Sequence, residues 1–155
     1  VEYGVGPAPA MLARARERGV TVLRGVAEAL PLADETVSVA LLVTTICFVD
    51  DLEATLREAR RVLRPGGTIL VGFVPRESPL GRTYREKRDQ NPFYRDATFV
   101  SVPCLLDALE TAGFDDPATV QTLFSSTSDL EGTDRVDSGW GEGSFVAVAA
   151  RAPGA

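Results

Sequence analysis

Few of the residues in this sequence are of a type that does chemistry. The chain has no histidine and two widely separated cysteines, Cys47 and Cys104. Serine–histidine triads and histidine-bearing metal sites are therefore excluded, and the cysteines have neither zinc-ligand spacing nor the density of a disulfide framework. They read as two small buried hydrophobes in a reducing compartment. Proton transfer, where needed, falls to carboxylates and phenols: Glu77, Tyr84, Tyr94 and Glu142 could each serve as a base, and the sequence does not choose among them. Gly4-Val5-Gly6-Pro7-Ala8-Pro9 begins like a dinucleotide fingerprint. It lacks the last glycine, and no acid follows at a suitable distance, so a nicotinamide cofactor is a distant reading.

Composition narrows the partners. With 155 residues and 45% hydrophobic content, residues 1–155 form one domain with a real core. A formal charge of -6 opposes a general nucleic-acid or anionic-membrane surface, since phosphate binding needs the opposite field. The longest apolar run, Val37 to Val49, is too short for a bilayer and is interrupted by Ser38, Thr44 and Thr45. Nothing reads as a signal peptide, and the expected location is cytoplasmic.

The elements that must position these residues are legible around Arg60 to Gly72. Leu52, Leu56, Ala59 and Leu63 recur at helical spacing, so one helix face is apolar while Glu53, Arg57, Glu58 and Arg60 face out. Pro65 bars the helical region at Arg64, and Gly66 and Gly67 permit the positive φ of a reversal. Thr68 to Val74 is a β-branched, nearly uncharged run, predicted to be a strand covered on both faces. Val37 to Val43 supplies the preceding strand of a βαβ unit. Upstream, Val1 to Val5 reads as a strand, Pro9 opens a helix that stops at Gly19, Thr21 to Leu23 is a strand, and Gly25 to Glu35 is a connection. Downstream, 75–100 is an elaborated polar loop with a helical turn or two, in which Arg76, Arg82, Arg85 and Arg88 alternate with Tyr84, Phe93, Tyr94 and Phe99. Ser101 caps a helix closed by Gly113. Thr119 to Phe124 and Ser144 to Ala150 suit an antiparallel hairpin at a sheet edge. The pattern predicts an α/β fold: a Rossmann-like, mostly parallel open sheet whose ligands sit at the carboxyl ends of the strands.

Four segments carry a family likeness: Pro7-Ala8-Pro9-Ala10-Met11-Leu12, Gly25-Val26-Ala27-Glu28-Ala29-Leu30-Pro31, Val62-Leu63-Arg64-Pro65-Gly66-Gly67 and Ala112-Gly113-Phe114. In that order and spacing the chain resembles class I S-adenosylmethionine-dependent methyltransferases, over nearly its whole length. The resemblance implies a seven-stranded sheet with its last strand antiparallel, and S-adenosylmethionine as cofactor. In such proteins the first strand ends in an acidic residue and a Gly-x-Gly-x-Gly turn, and the second ends in an acid that holds the cofactor ribose. Here Glu2-Tyr3-Gly4-Val5-Gly6 resembles the first half of that turn, fused directly to Pro7-Ala8-Pro9, the helix start that should follow the ribose acid.

On this reading the N-terminal part is incomplete, with about twenty residues missing between Gly6 and Pro7 on typical element lengths. The rival reading makes Val1 to Val5 the second strand, with the glycine turn absent upstream. Either way Gly6 stands where the acid should be, and Glu2 is about 13 Å away at strand rise. If the Thr21 strand slid into the vacated place, Val26 and Glu28 would reach the ribose position; otherwise Glu28 is a solvated or capping carboxylate. By the same likeness Val26 and Ala27 flank the adenine, and Val43 and Thr44 the methionine half. The cofactor-binding candidates are thus Glu2, Gly4, Gly6, Val26, Ala27, Glu28, Val43 and Thr44, with catalytic residues and metal ligands unassigned. Residues 75–100 and Gly139-Trp140-Gly141-Glu142-Gly143 lie where relatives build substrate pockets. The expected function is methylation of a small molecule. The alternative is a non-catalytic or partner-completed remnant that has lost the cofactor, and an exposed sheet edge makes a homodimer an expected partner state.

Overall fold

The computed structural model describes residues 2–92, 94–125 and 132–154; Val1 and Phe93, assigned above to a strand and to the aromatic loop, lie outside them. The chain folds as two units of sheet. In the first, β1 (Tyr3–Gly6) pairs in parallel with β2 (Thr21–Arg24) across helix α1 (Pro9–Glu17). The second is a five-stranded sheet in the order β3-β4-β7-β5-β6. It comprises β3 (Val37–Val43), β4 (Leu63–Phe73), β5 (Asp115–Thr122), β6 (Asp137–Ser138) and β7 (Phe145–Arg151). Strands β3 and β4 pair in parallel, and β7 lies antiparallel between β4 and β5, so β3, β4 and β5 share one direction.

Helix α2 (Leu52–Val62) forms because its apolar residues share a stripe and its start is capped: Asp51 Oδ1 accepts from Ala54 N at 2.9 Å. Glu53 in its first turn and Arg60 and Arg61 in its last complement the helix dipole. Helix α4 (Val102–Thr111) is capped by Ser101 and closed by Gly113 at φ +81. Together α2 and α4 cover one face of the large sheet. Leu56, Leu63, Ile69, Leu105, Val146 and Val148 are all buried there, the last two from β7.

Three expectations are corrected. Strands β5 and β7 pair antiparallel as the hairpin expectation has it, but the pair is not outermost: β7 lies between β4 and β5, and the two-residue β6 adds to β5 and forms the edge. Strand β4 is not covered on both faces: Ile69, Val71 and Phe73 are buried, whereas Leu70 points away from the helices and is 38% exposed. Cys47 and Cys104 are free but not buried hydrophobes; Cys47 is half-buried and Cys104 lies on the outer face of α4. Among the described residues no group of side chains could hold a metal ion.

Candidate active site

The carboxyl ends of the strands from both units meet through one connection. Residues Glu2 to Gly6 do not form a glycine turn: Gly4 is mid-strand opposite Val22, where an added Cβ would lie 3.2 Å from the Val20 side chain. Glu2 stands at the amino end of β1, remote from Gly6. At the other end, Gly25 N donates to Gly6 O at 3.2 Å, so Gly6 and the segment Val26–Glu28 are neighbours. Strand β2 pairs in parallel with β1, the pairing that the slide of the Thr21 strand calls for, and no ladder among the described residues joins either strand to β3.

From Gly25 the chain runs down α2. Glu28 Oε1 accepts from Asp50 N at 2.8 Å and from Asp51 N at 3.4 Å, at the amino end of α2. This is the capping role, with Oε2 carrying no hydrogen bond among the described residues. Farther along, Leu30 N donates to Glu58 Oε2 at 2.7 Å. Arg61 gathers the rest: its guanidinium donates to Glu58, Asp34, Leu30 O and Leu32 O. The Arg61 hydrogen bond, with its positive charge, holds the Glu58 carboxyl below its ordinary value, and Glu58 and Asp34 in turn raise Arg61. Glu35 N and Thr36 N then bond Arg61 O and Val62 O and deliver the chain into β3.

At the carboxyl end of β3 the backbone is strained. Thr44 has φ +51, a region that a β-branched residue avoids, at a cost of about 1–3 kcal/mol. It is held there from several sides: Thr44 N donates to Gly72 O at 2.8 Å, and the Cys47 thiol donates to Thr44 O at 3.5 Å. Burial raises the Cys47 thiol above its ordinary value. Strain of this kind is kept where surrounding structure fixes a conformation that something else uses. No signal in the sequence marks it, since threonine is an ordinary residue at a strand end.

The 75–100 segment packs over this turn. It contains helix α3 (Pro79–Glu86), capped by Ser78, and a single 3-10 turn, Arg88–Gln90. Its ends are tied by Arg76 N to Val100 O, and Thr98 N donates to Cys47 O at 2.8 Å. Tyr84 and Tyr94 stack at 4.2 Å, with Phe99 tilted 6.4 Å from each. The Tyr84 hydrogen bond, then burial, push the Tyr94 phenol up to about 12. Of the four candidate bases, these two are therefore together. Glu77 is instead engaged with Val102 N at 3.4 Å, and Glu142 lies beside Arg135 at 4.0 Å. The Gly139–Gly143 segment is pinned by the buried Gln121, whose Oε1 accepts from Glu142 N and Gly143 N.

In open α/β sheets ligands bind outside the carboxyl ends of the strands, which is where the strained turn lies. Sequence and structural relatives say which class. The family described as "Methyltransferase domain" matches residues 2–71. A crystal structure from Thermotoga maritima, described as an S-adenosylmethionine-dependent methyltransferase and possible histamine N-methyltransferase, is 47% identical. It superposes with a TM-score of 0.95, over 98% of this chain and 73% of that one. An uncharacterised protein of Methanocaldococcus jannaschii is 35% identical over 150 residues, 97% of this chain and 73% of the relative. A malonyl-[acyl-carrier protein] O-methyltransferase of Xylella fastidiosa is 30% identical over 125 residues, but this chain spans only 42% of it. The chain belongs to the class I S-adenosylmethionine-dependent methyltransferases.

Proposed function

We propose that this chain acts in methyl transfer from S-adenosylmethionine to a small-molecule acceptor. The observation that carries the reading is the 47% identity and near-superposition with the Thermotoga methyltransferase over 98% of this chain. The residues offered for the cofactor are Gly6 with Val26 and Ala27, whose segments meet at the Gly25 N to Gly6 O bond, Val43 and the strained Thr44 at the carboxyl end of β3, and the Glu28 oxygen not engaged by Asp50 and Asp51. Glu2 and Gly4 contribute through β1 alone. The chemistry such a cofactor supplies when bound is an activated methyl group. The chain's own part is to hold an acceptor in line and to exclude water, a task for the aromatic segment over Cys47. Cytoplasmic residence is supported by the free thiols at Cys47 and Cys104. No helix among the described residues is long and apolar enough to cross a membrane.

A second reading, a form that no longer binds the cofactor, is favoured by two observations: Gly6 stands where the family has an acid, and one Glu28 oxygen is already committed to Asp50 and Asp51. Calorimetric titration of S-adenosylhomocysteine into the chain separates the two. Micromolar binding is the expected result, and absence of heat at millimolar ligand favours the second reading. Histamine, from the description of the Thermotoga protein, is the first acceptor to assay.

A further inference from the structure

Gly72 is a glycine whose backbone does not ask for one. It lies within β4, paired with Val43 on one side and Ala147 on the other, and its φ is not positive. A strand gains nothing from glycine's freedom, and where one occurs something often comes close to the backbone. Here that is Phe145, the first residue of β7 and the diagonal neighbour of Gly72 on the face they share. Its ring leans back over the glycine: a Cβ at Gly72 would lie 2.9 Å from Phe145 Cζ and 3.3 Å from Cε1, with Val43 Cγ1 at 3.7 Å. The aim of the ring is set from its backbone. Ser144, just before it, is buried; its N–H donates to Leu123 O at 2.9 Å, and its Oγ accepts from Leu80 N at 3.4 Å.

On its other side Gly72 holds the strained turn. Beyond the Val43–Gly72 pair, Gly72 O accepts from Thr44 N, one of the bonds that keep Thr44 at φ +51. A bare glycine is free to swing that carbonyl away and let Thr44 relax. An aromatic ring laid over a strand glycine takes that freedom from it, the effect called aromatic rescue.

We propose that Phe145 is a positioning residue for the Thr44 turn: by covering Gly72 it keeps the Gly72 carbonyl aimed at Thr44 N, and so holds the carboxyl end of β3 in the form a ligand meets. Each link is a contact at the carboxyl ends of β3 and β4 or the start of β7. Only what the turn is for rests on the cofactor reading above.

The test takes two measurements on the 155-residue chain: amide hydrogen exchange at Thr44 without ligand, and calorimetric affinity for S-adenosylhomocysteine. Phe145→Ala uncovers Gly72, so Thr44 exchange is expected to quicken about tenfold, the loss of one hydrogen bond's net contribution. Amides of α2 should keep their rates, because Phe145 is only partly buried and the core is untouched. Affinity should fall at least about threefold, since the turn that binds is then no longer the dominant form. Gly72→Ala alone should act the same way, its Cβ displacing the ring. The deciding variant joins the two substitutions. It has no clash, and alanine's stiffer backbone replaces the restraint that the ring supplied, so both measurements should move back toward the wild type. Loss of packing alone predicts the reverse, a double variant at least as impaired as either single one. Unchanged Thr44 exchange in Phe145→Ala, or a double variant no better than Phe145→Ala, overturns the proposal. Faster exchange with undiminished affinity overturns the turn's part in binding. A wild type that binds no S-adenosylhomocysteine strikes the cofactor reading instead, and the exchange rates still decide whether Phe145 holds the turn.

Discussion

Residues 3–24 and residues 37–151 both contain strand, helix and parallel strand, yet different forces hold them. In the first unit no residue of β1, α1 or β2 is buried, and α1 carries neither a side-chain cap nor a marked apolar stripe. In the second, α2 alone buries Thr55, Leu56, Ala59 and Val62. The larger unit can supply its own hydrophobic driving force. The smaller one depends on backbone pairing and on the polar connection that Glu28, Glu58 and Arg61 fasten along α2. The two walls of the molecule are therefore built unequally, the larger unit by a packed core and the smaller by hydrogen bonds along α2.

The largest expected effect lies in the rigid wall. Leu56 is fully buried, so Leu56→Ala should cost about 2–5 kcal/mol through lost transfer energy and the cavity left behind. Urea denaturation followed by circular dichroism measures it. A cost below about 1 kcal/mol, typical of surface positions, would contradict the division drawn here.

Next is the tether. Glu58→Ala removes an acceptor from Leu30 N and both bonds to Arg61, and should cost about 2 kcal/mol on the scale of hydrogen bonds to charged groups. Hydrogen exchange should show the loss concentrated in residues 3–36, leaving β4 and β7 protected. The same carboxylate gives a pH dependence. Its value is lower in the folded chain than the ordinary 4.5, so its stabilisation is complete above about pH 4.5 and is lost as pH falls through the folded value. Acid should loosen residues 3–36 first, and Glu58→Gln should flatten that part of the profile. Simultaneous exchange of both units on acidification would show that the tether is not what couples them.

A smaller change of opposite sign is expected at the crevice. Thr44→Gly relieves the positive φ and should stabilise the chain by about 1 kcal/mol, part of the strain relief being offset by glycine's greater unfolded-state entropy. If the strain serves the crevice, affinity for S-adenosylhomocysteine should fall at the same time. A gain in stability with unchanged affinity would make the strained turn a purely structural feature.

How much of this was readable beforehand follows the same division. The Val37–Val43 strand, the helix from Leu52 and the Ser101 cap were legible because burial imposes period and caps impose residue type. The placement of β7 between β4 and β5 was not, since pairing order is set by long-range packing that leaves no local pattern. The bare side of β4 was also hidden: an unbroken apolar run reads the same whether its second face is covered or waiting for cover. At the site, Gly6 and Val26 could be placed together from the likeness, whereas the tie of Glu28 to Asp50 and the left-handed Thr44 could not, because a carboxylate's partner and a residue's φ are tertiary facts.

The smallest expected effect tests the tethered wall directly. Leu12 is the residue of α1 that faces Gly6; a side chain at Gly6 would meet it at 3.8 Å, yet it remains partly exposed. A leucine that keeps contact with water in the folded state loses little transfer energy when truncated, and its neighbours can close around the gap. Leu12→Ala should therefore cost less than about 1 kcal/mol, where the same substitution at Leu56 costs several times that. Alanine's higher helix propensity offsets part of even this loss. The ratio of the two values, read from one set of denaturation curves, measures how unequally the two walls are built. Equal costs would mean that α1 is packed in solution by something beyond the contacts described here.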